Sequence, residues 1–106
     1  MPTFTKRAYQ RYPCHLPIKI TTERGEIDGV AANIGLGGML VESTEFLAFD
    51  SMVKLRFRLP AMTSDTEVTA YVRWNKENAF GLQFSNLRAK DVWGLNQFFE
   101  KSGAGT

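Results

Sequence analysis

The chain has 106 residues, of which 43% are hydrophobic and 23% charged. This size and composition are those of one globular domain and exclude a disordered or fibrous chain. No apolar run approaches the roughly 20 residues that a membrane-spanning helix needs, and the first residues lack the apolar segment of a secretory signal. The formal net charge of +2 does not by itself require a nucleic-acid partner.

Cysteine and histidine are too scarce for several kinds of chemistry. The chain has one cysteine, Cys14, and one histidine, His15. An intramolecular disulfide is therefore excluded, a usual zinc site has too few ligands, and a reducing cytoplasm is the expected compartment. His-dependent nucleophilic catalysis would require His15, which falls at the start of a predicted strand. We therefore expect no enzyme, no metal and no cofactor, and we interpret Cys14 and His15 as packing residues.

The chain begins with a polar, basic arm, residues 1–12. It shows no apolar periodicity, so we expect it to be mobile without a ligand. Lys6, Arg7 and Arg11 lie in this arm, and the two arginines are four residues apart. A solvated arm is one interpretation. The other is ligand binding, because an arginine fork pairs with phosphate oxygens or with the O6 and N7 atoms of guanine.

Alternation of apolar and polar residues dominates the middle of the chain. Such alternation predicts strands with one face on a core and the other in water. The clear runs are residues 15–22, 53–60, 68–74 and 80–84, and two less regular strands are predicted at 26–32 and 39–42. In the third run Trp74 is in phase with the core-facing residues. Six short strands with turns and no intervening helix favour an antiparallel barrel or sandwich.

Three glycines occur within Asn33-Ile34-Gly35-Leu36-Gly37-Gly38, between two predicted strands. One interpretation is a tight turn, since glycine adopts positive φ at little cost. The other is a loop whose backbone N–H groups approach a phosphate or a base without a Cβ in the way. The spacing is that of neither a P-loop nor a dinucleotide-binding fingerprint.

The last segment changes from strand to helix periodicity. Val92, Leu95 and Phe99 follow helical spacing and predict a buried stripe on a helix from residue 87 to 102, capped by Asn86 or Ser85. Gly94 falls in the helix interior, where glycine costs about 1 kcal/mol relative to alanine. We expect a close packing contact at this position.

Together these motifs resemble the PilZ domain family. Arg7 and Arg11 match its R-x-x-x-R motif, Asn33 and Gly38 match the ends of D/N-x-S-x-x-G, and residues 80–84 resemble its late G-x-x-F strand. The resemblance implies a mainly β fold, a six-stranded antiparallel barrel with a C-terminal α-helix. It divides one domain into an arm at 1–12, a barrel at 13–85 and a helix at 86–102.

The resemblance also implies the ligand and its site. PilZ domains are bacterial receptors for the second messenger cyclic di-GMP. By this analogy Arg7 and Arg11 engage guanine faces and phosphates, Asn33 bonds a guanine edge, and Lys6 adds a phosphate contact. The backbone N–H groups that approach the ligand are those of Gly35, Gly37 and Gly38. Gly35 replaces the motif serine, which removes a hydrogen bond worth about 0.5–1.5 kcal/mol.

Three functional hypotheses follow. The first is a receptor in which cyclic di-GMP orders the arm and so presents a new surface to an unidentified protein effector, in motility or exopolysaccharide regulation. The second is a PilZ-like adaptor that has lost the nucleotide and works through protein contacts. The third is a nucleic-acid-binding barrel, disfavoured by the low net charge, that uses the basic and aromatic side chains of one face: Lys54, Arg56, Arg58, Tyr71 and Arg73.

Overall fold

The computed structural model describes residues 11–60 and 62–101. The elements are β1 (Tyr12–Thr22), β2 (Gly25–Ile34), β3 (Gly38–Glu42), β4 (Met52–Phe57), β5 (Thr66–Lys76), β6 (Ala79–Phe84) and α1 (Ala89–Phe99). All strand pairs are antiparallel, and the order β1-β2-β3-β6-β5-β4 closes into a barrel. The predicted mainly β fold, a six-stranded barrel with a C-terminal helix, is confirmed.

The barrel interior is filled by the apolar residues of the alternating runs. In β4, for example, Val53, Leu55 and Phe57 are buried, while Lys54 between them is exposed. The largest fully buried apolar side chains are Phe80, Ile20, Ile34, Met39, Leu55, Leu59, Leu82 and Leu95. Strand β4 ends at Phe57 rather than at the predicted residue 60, yet Leu59 remains in the core beyond the strand end.

Two β-bulges change the direction of side chains on the barrel. In β2 the pairing with β3 skips Ala32, and in β5 the pairing with β6 skips Arg73. An extra residue in one strand shifts the in–out alternation by one position. Val72 before the second bulge is buried, but Trp74 after it is 40% exposed. The prediction that Trp74 belongs to the core was therefore wrong, because the bulge at Arg73 turns it onto the outer surface.

Helix α1 starts later than the periodicity predicted. Its N-cap residue is Arg88, not Asn86 or Ser85. The buried carboxylate of Asp91 supplies the cap, because its Oδ2 accepts hydrogen bonds from the Arg88 backbone N–H at 3.1 Å and from the Arg88 Nε at 3.2 Å. A carboxylate in the first turn also interacts favourably with the helix dipole.

The buried face of α1 is centred on Gly94. Leu95 and Phe99 are buried as predicted, whereas Val92 is only partly buried. A Cβ at Gly94 would lie 2.9 Å from Met62 Sδ and 3.3 Å from Leu59 Cδ1. The expected close contact at Gly94 is confirmed: the helix approaches the β4–β5 connection through this glycine, and that approach rotates Val92 away from the centre of the contact.

Some predictions concern residues outside the described ranges. Lys6, Arg7 and most of the arm at 1–12 fall there, as does the predicted end of the helix at 102. The division into arm, barrel and helix therefore stays a prediction. Among the described residues, no helix is both long enough and apolar enough to cross a membrane.

Candidate functional site on the outer face of the barrel

The first element of the site is a contact between two of the predicted ligand residues. Arg11 Nη1 donates a hydrogen bond to Asn33 Oδ1 at 3.0 Å. The contact arises because β1 pairs with β2 and places Pro13 opposite Asn33, so that the chain just before β1 passes over the end of β2. Residues that are 22 positions apart in the sequence are thus brought together. Lys6 and Arg7 lie outside the described residues.

Asn33 begins a row of residues across four strands. It pairs with Leu40 of β3, Leu40 pairs with Gly81 of β6, and Gly81 pairs with Trp74 of β5. Directly opposed residues in antiparallel strands project from the same face. The row is on the outer surface. Asn33 follows the bulge at Ala32 and Trp74 follows the bulge at Arg73, and each bulge turns the next residue outward. With strands about 4.8 Å apart, it extends about 14 Å.

Trp74 joins the candidate site, although the sequence analysis assigned it to the core. Its indole packs against Gly81, since a Cβ at that glycine would be 2.2 Å from Trp74 Nε1. The ammonium of Lys76 is 5.8 Å from the ring centroid, a cation–π contact. A large aromatic residue opposite a glycine in a neighbouring strand was the available signal, but strict alternation assigned Trp74 to the core.

The glycine loop is held mainly by its own hydrogen bonds and by β6. The N–H of Gly35 donates to the carbonyl of Gly38 at 2.9 Å, and the N–H of Phe84 donates to the carbonyl of Gly37 at 2.9 Å. The expected donation of the Gly35 N–H to a ligand would require that its present hydrogen bond be broken. The loop thus lies next to Asn33 with the Gly35 N–H already hydrogen bonded, while the expected ligand contacts of the Gly37 and Gly38 N–H groups stay predictions.

Gly38 has a structural reason to be glycine. A Cβ there would lie 2.0 Å from the carbonyl oxygen of Leu82, which is backbone and cannot move aside. The small residue lets β3 and β6 approach closely at the entrance to the loop. Because this packing accounts for the glycine, its presence is not by itself evidence of contact with a ligand.

The position of the missing motif hydroxyl is also defined. Gly35 is buried and follows β2 directly. Within residues 11–60 and 62–101, the glycine with a left-handed backbone is Gly25, with φ of 126°. The glycine at position 35 is therefore not explained by a required positive φ.

Cys14 and His15 occupy the irregular register between Pro13 and Leu16. The Cys14 thiol packs against the core and donates to the carbonyl of Ala31 at 3.3 Å, and burial raises its pKa. Its interpretation as a packing residue agrees with these contacts. His15 is exposed, so the same interpretation was wrong for it: His15 lies between the partly buried Cys14 and Leu16 and faces outward by simple alternation.

The basic face proposed for nucleic acid is largely neutralised. Arg56 pairs with Glu26 at 3.1 Å, Arg58 pairs with Asp65 at 3.0 Å, and Arg73 pairs with Asp50. Each of these cations already has an acidic partner, which reduces the positive potential available to a phosphate backbone. In the part of the chain that the structure describes, no cluster of His, Cys, Asp and Glu side chains could hold a metal ion.

Similar solved structures include the PilZ domain of CeSA from a cellulose-synthesising bacterium, with 16% identity, a TM-score of 0.68, and coverage of 86% of this chain and 96% of that one. The inhibitor of motility MotI/DgrA from Bacillus subtilis has 27% identity, a TM-score of 0.69, and coverage of 91% and 52%. The MrkH–c-di-GMP complex of K. pneumonia has 15% identity, a TM-score of 0.67, and coverage of 90% and 51%.

This chain thus spans about half the length of MotI/DgrA and of MrkH. Among curated proteins, no relative matches the sequence. The family model described as PilZ domain matches residues 5–101, which include both sequence motifs, all six strands and the helix. The chain belongs to the PilZ domain family.

Proposed function

We propose that this PilZ domain is a receptor that binds cyclic di-GMP on the outer row from Asn33 to Trp74 and signals to a protein effector. The observation that carries the proposal is the 3.0 Å contact between Arg11 and Asn33, which joins the two sequence motifs at one end of that row. The similar structure of MrkH is a complex with c-di-GMP, which supports the same ligand class here.

The Arg11–Asn33 pair matches the edge of a guanine. Because Asn33 Oδ1 accepts from Arg11, the side-chain amide presents its N–H groups to a ligand. Guanine offers acceptors at O6 and N7, and both an arginine fork and an amide donor are suited to them. The contact also restrains the guanidinium before the ligand arrives, which reduces the conformational entropy lost on binding.

At the other end of the row, Trp74 offers an aromatic surface for the second base. A base stacked on an aromatic side chain contributes about 1–3 kcal/mol. Lys76 above the ring adds a positive charge near the two phosphates of the ligand. We expect Arg7 and Lys6, from the arm, to complete the phosphate contacts.

The proposed signal is the ordering of the arm. Two negatively charged phosphates draw the arm arginines over the barrel surface. The ordered arm then changes the surface that an effector can contact. This shift requires only that the ligand bind one arm state better than the other. The proposed effector is a protein of the pilus, flagellar or exopolysaccharide machinery. We expect the domain to act in the cytoplasm.

A second candidate function is an adaptor without a nucleotide. It is favoured by one observation: Gly35 lacks the motif hydroxyl and its N–H is already hydrogen bonded to Gly38. In this case the outer row would be a protein-contact surface, and the barrel would not respond to dinucleotides.

Isothermal titration of the full chain with cyclic di-GMP distinguishes the two candidates. We expect saturable binding, at least about tenfold weaker in Arg7→Ala, Arg11→Ala and Asn33→Ala, because charge-assisted hydrogen bonds contribute about 1.5–3 kcal/mol. Arg58→Ala is the matched control, since this arginine pairs with Asp65 away from the row. Cyclic di-AMP, which lacks guanine O6, should bind much more weakly. Absence of binding to the wild-type chain would favour the adaptor.

A further inference from the structure

The connection between β3 and β4, residues 43–51, and the first residue of β4 together expose three large apolar side chains. Phe46 is 77% exposed, Phe49 66% and Met52, the first residue of β4, 60%. We call these three residues the apolar patch. Single exposed apolar residues are common on soluble domains, but such a cluster within seven positions is typical of an interaction surface.

The patch is built on a fixed segment. Leu47, between the two phenylalanines, is buried in the core. The Asp50 N–H donates to the carbonyl of Val72 at 2.6 Å, and the Ser43 N–H donates to the carbonyl of Asn78 at 3.1 Å. Because both ends of the segment are bound to the barrel, the exposure of Phe46 and Phe49 is a property of the folded loop.

An open cavity of about 390 Å³ lies between the patch and the β1–β2 turn. Its walls are formed by Phe46 and Met52 on one side and by Thr22, Glu23 and Arg24 on the other. This volume is within the range of sites that accept apolar groups of a ligand. A partner side chain that enters this cavity would cover apolar surface on Phe46 and Met52.

The other side of the same segment is acidic. A groove of about 430 Å³ is lined by Glu26, Asp28, Glu42 and Glu45 and by no lysine or arginine. Lys19 and Arg56 pair with Asp28 and Glu26 from outside the groove. Among the described residues, no ion pair is formed by Glu42 or Glu45. The acidic groove meets the patch where Glu45 is followed by Phe46.

We infer that this surface docks a basic amphipathic helix of a protein effector. Such a helix is about 10–12 Å wide and presents an apolar stripe beside a charged one, which matches an apolar patch next to an acidic groove. Phe46 and Phe49 are the expected anchors, and the carboxylates contribute orientation and association rate. A lipid surface fits poorly, because anionic headgroups would face Glu42 and Glu45, which form no ion pair among the described residues.

The docking surface and the outer row have no residue in common. The surface lies at the barrel end that carries the β1–β2 turn, and the row starts at Asn33 near the opposite end. The other end of the row, at Trp74, lies close to the docking segment, because Asp50 pairs with Arg73. The inference concerns the effector part of the proposed function, and it holds whether or not the dinucleotide binds.

The test uses a fluorescein-labelled amphipathic peptide of Leu and Lys at helical spacing and the full chain, with binding followed by fluorescence anisotropy. We expect saturable binding that weakens with salt, and at least tenfold lower affinity in Phe46→Ser, equivalent to about 1.4 kcal/mol. The double variant Glu42→Gln with Glu45→Gln, which changes only exposed groups, should weaken binding and reduce its salt dependence. Trp93→Ser is the matched control, because Trp93 is an exposed aromatic on α1.

Three results would overturn the inference. The first is equal affinity for a peptide with Glu in place of Lys, and the second is unchanged affinity in the patch and groove variants. The third is concentration-dependent self-association in sedimentation that Phe46→Ser abolishes, which would identify a second copy of this chain as the occupant. Titration of the same variants with cyclic di-GMP distinguishes failure of docking from failure of the receptor function. If the peptide binds and the dinucleotide does not, only the receptor function is refuted. If the dinucleotide binds and the peptide does not, only the docking inference is refuted.

Discussion

Tyr12, the first residue of β1, stacks on Phe99, the last residue of α1, with ring centroids 4.3 Å apart and planes inclined by 11°. Its neighbour Arg11 contacts Asn33 on the outer face of the barrel. Two consecutive residues therefore join the candidate ligand site to the C-terminal helix. The residue that contacts Asn33 is thus covalently joined to the residue whose ring packs on α1.

The stack predicts that Phe99 is important for stability. Phe99→Ala removes a buried ring and its contact with Tyr12, and we expect the free energy of unfolding to fall by about 3–5 kcal/mol. Urea denaturation followed by circular dichroism measures the loss. Trp93→Ala on the exposed side of the same helix should change stability by less than about 0.5 kcal/mol. Equal stability of Phe99→Ala and wild type would mean that α1 does not stay docked in solution.

Trp74 provides a second prediction, on binding rather than stability. Trp74→Ala should weaken cyclic di-GMP binding by about 5- to 150-fold, the range that corresponds to about 1–3 kcal/mol of base stacking. Trp74→Phe should retain part of the affinity because a ring remains. Calorimetric titration checks both, with Trp93→Ala as the control. Loss of affinity in the control, or none in Trp74→Ala, would remove Trp74 from the site.

The sequence predicted the six strands because apolar and polar residues alternate clearly along four of them and less regularly along the other two. The family motifs assigned Arg11 and Asn33 to one ligand site, which stays a prediction, but their direct contact was not predicted. The direction of Trp74 was predicted wrongly, because one extra residue in a strand reverses the alternation, and bulge positions depend on pairing with distant strands. The exposure of His15 agrees with the alternation of β1 and could have been predicted from it. The partial exposure of Val92 also depends on tertiary contacts. The rotation of α1 is set by Met62 and Leu59 packing against Gly94, and helical periodicity alone does not predict this contact.

Gly38 and its contact with β6 give a prediction on folding. Gly38→Ala places a methyl group 2.0 Å from the Leu82 carbonyl oxygen, so one strand must shift. We expect a loss of about 1–3 kcal/mol in the free energy of unfolding, typical of overpacking. Thermal and urea denaturation measure it. A fully stable variant with weakened dinucleotide binding would instead show that the glycine serves the ligand.

Gly35→Ser tests the missing motif hydroxyl. The φ angle there does not require a glycine, since the left-handed glycine of the described chain is Gly25. If the loop borders the ligand, the new hydroxyl adds one hydrogen bond of about 0.5–1.5 kcal/mol, and cyclic di-GMP should bind about 2- to 12-fold more tightly. Stability should hold or rise slightly, because serine restricts the unfolded chain more than glycine does.

The matched control for this variant is Gly25→Ser. At a φ of 126°, serine strains the β1–β2 turn and should lower stability without changing affinity. Calorimetry and urea denaturation of both variants separate the two effects. Weaker binding by a stable Gly35→Ser would mean that the ligand occupies the space in which the motif places a hydroxyl. If neither wild type nor Gly35→Ser binds, the loop has no nucleotide role, and the domain acts through protein contacts alone.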